Sequence, residues 1–70
     1  MADEYVIIEF NQASHQPRIL HDDIYDNYVD AVEDAGHAWR GARKVGRRER
    51  YVVARIDIEW DSDEAEMGDR

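Results

Sequence analysis

The chain predicts a small α+β domain of two layers, in the order β-β-α-β. One helix packs on a three-stranded, mainly antiparallel sheet, and an acidic tail follows. Three observations carry this reading. Residues 5–10 and 51–60 are rich in β-branched and aromatic types and alternate along the chain. Between them, apolar residues from Tyr25 to Ala42 recur at spacings of three and four. Beyond Trp60 the periodic apolar pattern stops and acids dominate.

The first strand is Tyr5-Val-Ile-Ile-Glu-Phe10. Val6, Ile8 and Phe10 share one face, and Tyr5, Ile7 and Glu9 the other. Asn11 to Gln16 is polar and turn-like. Pro17 disfavours helix before it and suits the edge or first residue of a short returning strand, Arg18 to His21. Asp22 or Asp23 is a good helix N-cap. The stripe Tyr25, Tyr28, Val32, Ala35, Trp39 and Ala42 then marks the helix, widened by Val29 and Val45. Its acids precede its bases, as the helix dipole favours. Gly46 fits the position just past the C-terminus. Gly36 and Gly41 leave open a kink, a break or a close approach to the sheet. Tyr51 to Trp60 is the clearest strand, with Val52, Ala54, Ile56, Ile58 and Trp60 on one face. Tyr51, Val53, Arg55, Asp57 and Glu59 take the other. Residues 1–60 form one domain on this reading, and 61–70 an acidic, disordered tail.

With the helix on the Val6/Ile8/Val52 face, Trp39, Ile8 and Ile56 are core residues. Truncating each to alanine is expected to cost about 2–5 kcal/mol. Tyr5, Ile7, Tyr51 and Val53 then point away from the helix, as an apolar face for a homodimer mate or another partner.

At 70 residues the core is thin, and there is no cysteine to staple it. That excludes disulfides and thiolate-ligated metals. No apolar run approaches a membrane span, and the acidic start Met1-Ala2-Asp3-Glu4 lacks the basic opening of a signal peptide. The expectation is a cytoplasmic protein. Net charge is −8, laid out in blocks. Residues 1–37 sum to −8, 38–55 to +6 and 56–70 to −6. Separate fields of each sign result.

His15, His21 and His37, with Asp22 and Asp23, carry ligand atoms but match no metal-binding spacing, so no metal or cofactor is expected. Ser14 beside His15 is adjacency without triad geometry. Gly41-Ala-Arg-Lys-Val-Gly46 lacks the Gly-Lys-Ser/Thr ending of a phosphate loop. The chain therefore reads as a binding protein and not an enzyme. Two surfaces compete for that role. Asp22, Asp23, Asp26, Asp30, Glu33, Asp34, Asp57, Glu59 and Asp61 suit a basic groove that otherwise holds nucleic acid. Their plain alternative is a solubilising surface. Arg40, Arg43, Lys44, Arg47, Arg48 and Arg50 suit phosphates directly. Their plain alternative is dipole compensation.

In size, lack of cysteine, simple α+β order and acidic rows, the chain resembles the small acidic proteins by which phages and mobile elements inhibit host defence, such as anti-CRISPR and DNA-mimic proteins. That resemblance implies an inhibitor of a host nucleic-acid-binding protein, most sharply a CRISPR effector, working in the host cell. The +6 stretch departs from a pure DNA mimic. The alternative is a small nucleic-acid-binding regulator that uses the basic cluster.

Overall fold

A computed structural model describes residues 3–64. Strand β1 (Tyr5–Phe10) is central, flanked by β2 (Pro17–Ile19) and β3 (Arg50–Arg55), in the order β2-β1-β3. Both neighbours run antiparallel to β1. Ile8 stands opposite Ile19 on one side and opposite Val52 on the other. Helix α1 (Tyr28–Lys44) covers one face. The α+β architecture is the one expected. Its element bounds differ from expectation at three places, and each difference has a physical cause.

The helix starts at Tyr28, later than Asp22 or Asp23 would set it. Tyr5 and Tyr25 exchange backbone hydrogen bonds of 2.7 and 2.8 Å, and that bridge holds Tyr25 extended. Asn27 then becomes the cap, its Oδ1 accepting from the N–H of Val29 at 2.8 Å and of Asp30 at 3.4 Å. The second strand ends at Ile19, because Leu20–Asp22 turn as a short 3₁₀ segment with His21 and Asp22 in left-handed conformations. The last strand ends at Arg55, well short of Trp60. Ile56 still donates to the Glu4 carbonyl at 2.8 Å, but β1 begins at Tyr5 and the ladder runs out of partner. Ile58 and Trp60 are consequently 71% and 75% exposed.

The helix is continuous through Gly36 and Gly41. It closes on Gly46, at φ 82°. The Gly46 N–H bonds the Arg43 carbonyl and the Arg47 N–H bonds the Ala42 carbonyl, a Schellman closure. Residues 62–64 carry a helical turn, with Asp61 Oδ1 accepting from the Asp63 N–H at 2.8 Å. The rest of the predicted tail lies outside the described residues.

The larger correction concerns which sheet face the helix covers. The Tyr5 ring meets the Tyr28 ring edge-on at 5.6 Å, and Tyr51 and Val53 face Val32, Ala35 and Trp39. Tyr5, Ile7, Glu9, Tyr51 and Val53 are therefore the helix side. Ile7 is fully buried there, with Leu20 and Ala31. The face expected to await a mate is the one under the helix. Of the three predicted core residues, Ile8 is half-buried on the open face, Trp39 is 46% exposed and Ile56 is 36% exposed.

Chain topology accounts for the choice. Strands β2 and β3 are parallel to each other, so the helix between them is a β-α-β crossover. Tyr5 aims its side chain at the helix and its backbone groups at Tyr25, on the β2 side. For an L-residue in a strand running upward and viewed from its side chain, those groups point to the right. Turning the view so that β2 and β3 run upward puts β2 on the left, β3 on the right and the helix in front. That path is right-handed, the overwhelmingly favoured sense. Handedness, and not the tally of apolar residues, selects the covered face.

Candidate functional site: two charged poles and an open groove

The crossover makes α1 parallel to β1, so the chain's charge blocks fall at opposite ends of the molecule. At 1.5 Å per residue, the 17-residue helix separates them by about 25 Å. At one end lie the helix N-terminus, the start of β1 and the exit from β3. Asp22, Asp23, Asp26, Asp30, Glu33 and Asp34 thus share a pole with Asp3, Glu4 and Asp57, and the segment bearing Glu59 and Asp61 leads out from it. Asp57 thus joins the first acidic row at this end, next to Arg55, which stands opposite Tyr5. One member is already engaged. Asp34 Oδ2 accepts the Tyr25 hydroxyl at 2.7 Å, and that bond, with the added burial, pushes the Tyr25 phenol up to about 12.

The opposite pole gathers the end of the helix, the β1–β2 loop and the start of β3. Arg40, Arg43, Lys44, Arg47, Arg48 and Arg50 all lie here, together with Arg18. Two of these cations are neutralised. Arg18 Nε donates to Glu9 Oε1 at 2.9 Å, and the Tyr51 hydroxyl donates to Glu9 Oε2 at 2.7 Å. These two bonds satisfy a carboxylate that is 8% exposed beneath the helix. Burial, then the bond to Glu9, pushes Tyr51 up to about 12. Arg47 Nε stands 2.9 Å from Glu49 Oε1 without the alignment of a hydrogen bond, so this contact is one of charge.

The remaining cations form two concave patches. Arg43 lies over the Trp39 ring at 5.1 Å, beside Arg40, Lys44 and His37, around a hollow of about 670 Å³. Arg50 lies over the Phe10 ring at 5.1 Å, beside Arg48 and His15, around a hollow of about 470 Å³. There the Arg48 N–H donates to Gln12 Oε1 at 2.9 Å, tying the loop to the strand entrance. The sequence pattern identifies the bases but not their aromatic companions. Phe10 reads as a strand residue and Trp39 as core, and only the register that puts Phe10 opposite Arg50 exposes the pairing.

His15, His21 and His37 fall in the loop, the 3₁₀ turn and the helix. Among the described residues no three His, Cys, Asp or Glu side chains are placed to hold a metal ion. No described helix is long and apolar enough to cross a membrane.

A third feature is uncharged. Between α1 and β3 runs an open groove of about 440 Å³, lined by Tyr28, Val32, Ala35, Gly36, Trp39, Tyr51 and Val53. No protein-family model matches the chain, and neither a curated protein nor a solved structure is significantly similar to it.

Proposed function

We propose that this protein acts by binding, with its acidic pole seated in a basic groove that would otherwise hold nucleic acid, and so inhibits a nucleic-acid-binding host protein. The observation that supports this is the gathering of the acids of residues 22–34 with Asp3, Glu4 and Asp57 at one end of the molecule. An acidic pole set apart from the basic one steers that end of the molecule to a surface of positive sign, as phosphates are steered. An inhibitor of a CRISPR effector is the sharpest form of this reading.

The test is target-DNA binding and cleavage by guide-loaded CRISPR effectors of several types, with and without the protein. The expected result is inhibition of one effector that weakens as salt rises. Asp22→Asn, Asp23→Asn, Asp26→Asn and Asp30→Asn together should reduce it about tenfold, mainly through the association rate. These positions leave the Tyr25–Asp34 bond intact. Inhibition indifferent to both salt and the four substitutions would overturn the acidic docking surface.

A second reading has its own observation, the exposed Arg–aromatic pairs at the opposite pole. Arginine stacked on an aromatic ring beside further cations suits a flexible single strand, whose bases stack and whose phosphates need charge. Anisotropy of a labelled single-stranded RNA separates the two readings. Salt-sensitive binding lost in Arg48→Gln with Arg50→Gln favours the basic pole, and no binding favours the acidic one.

A further inference from the structure

We propose that a second copy of this chain occupies the groove beside β3, so that two sheets join edge to edge about a twofold axis near Val52. Ile56 pairs by hydrogen bond with Glu4, and in an antiparallel ladder such pairs alternate. Arg50, Val52 and Ala54 therefore aim their backbone groups at β1. Tyr51, Val53 and Arg55 aim theirs outward, at the free edge. This edge is six residues long, with no proline and no lysine. Such an edge is a template for another strand.

Three features point to the same chain as that strand. The first is charge. Antiparallel pairing of β3 with its copy also sets the two helices antiparallel, which lays the acidic pole of each along the basic pole of the other. The second is register. With Val52 on the axis, Tyr51 pairs with Val53 of the copy through their outward backbone groups, and Glu49 stands opposite Arg55 of the copy. Glu49 already lies 2.9 Å from Arg47 Nε, and this register adds a second opposite charge beside it and no like one. Centring on Val53 instead would oppose Glu49 to Asp57, two like charges. The third is space. The helix overlies β3 and β1. An axis midway between each helix and its image then gives a helix separation near twice the strand spacing, about 10 Å, a normal packing distance. Gly36, midway along the 17-residue helix, lines the groove that such a mate would close. Taking Gly36 as level with the axis, Glu33 then falls within about one residue's rise, about 1.5 Å along the axis, of Arg40 on the copy.

Sedimentation equilibrium of the full chain tests this without any other partner, so its outcome is independent of the inhibitor reading. The expected mass is twice 8.2 kDa, and a mass of one chain at low salt overturns the proposal. Gly36→Arg should give a folded monomer. A side chain begun at Gly36 meets only the flexible end of Arg40, at 3.5 Å, so the change spares the single chain. Val53→Pro removes an outward N–H and should do the same. Circular dichroism reports folding in both cases. If Val53→Pro unfolds the chain, Gly36→Arg decides. Glu33→Arg and Arg40→Glu should each weaken the dimer, and the two together should restore it. A dimer that survives Gly36→Arg but is broken by Ile8→Lys would place the contact on the open sheet face and overturn the groove interface.

Discussion

The two edges of the sheet solve the same problem differently. Strand β2 is three residues long, and all three are exposed. Its hydrogen-bonded partners follow from Asn11 and Gln16, which pair across the loop. Arg18 thus faces β1, while Pro17 and Ile19 face outward. The outward position nearest the loop is a proline, with no N–H to offer, and the chain leaves the edge at once through the left-handed His21 and Asp22. Strand β3 has none of these devices. Its outward row, Tyr51, Val53 and Arg55, offers an N–H at every position. One edge is built against pairing and the other is left open beside an apolar groove. Sequence length alone does not produce that asymmetry. It comes from where Pro17 falls in the hydrogen-bonding alternation.

The two edges share one core, and the largest expected effect comes from breaking it. Ile7→Ala should cost about 2–5 kcal/mol, because Ile7 is fully buried between both edges and the helix. In a domain this small that loss can unfold the chain. Trp39→Ala, at a half-exposed groove position, should cost less than half as much in the same urea melts. Equal losses would mean that the groove is closed in solution, which would sharpen the case for a mate on β3.

A smaller effect weighs the two edges against each other at Glu9, which takes Arg18 from β2 and Tyr51 from β3. Tyr51→Phe leaves one carboxylate oxygen short of a donor and should cost about 1–2 kcal/mol. The same variant carries a pH signature. Tyr51 and Tyr25 are both raised from 10.0 to about 12, so the folded state holds these protons more tightly than the unfolded chain. Their stabilisation is present below about 10 and is lost as pH rises through about 12. Urea melts across that window should show stability falling, and Tyr51→Phe should flatten the fall. An alkaline loss of equal slope in Tyr51→Phe and Tyr25→Phe together would remove both phenols from the account.

The smallest effect is at the blunt edge. Pro17→Thr supplies the missing outward N–H on β2, yet stability should move by less than about 0.5 kcal/mol, as for an exposed substitution. The sedimentation mass should stay the same, since three residues offer too short a ladder. Growth to larger assemblies would show that Pro17 alone keeps that edge unpaired.

Much of this was legible from residue order. The alternation in Tyr5–Phe10 and Tyr51–Arg55 marks both long strands, because side chains in a strand take opposite faces in turn. The helical stripe and Gly46 locate the helix and its end, because capping chemistry is local. The charge blocks are legible for the same reason, being contiguous in the chain. What local chemistry could not reveal depended on pieces far apart. The bridge between Tyr5 and Tyr25 overrides Asp22 and Asp23 as helix caps. The alternation through Trp60 persists in the sequence after its partner strand has ended. The pairing of Phe10 with Arg50 exists only through a register.

The covered face is the clearest division between the two. Residue order alone determines that Tyr5, Ile7, Tyr51 and Val53 share a face, since alternation is a property of the strand. Which face the helix covers was decided only by the tertiary structure. Both faces are apolar enough to be buried, so composition does not choose between them. The strand order β2-β1-β3 and the right-handed crossover do, and they put Glu9 under the helix, where Arg18 neutralises it and the Tyr51 hydroxyl donates to it.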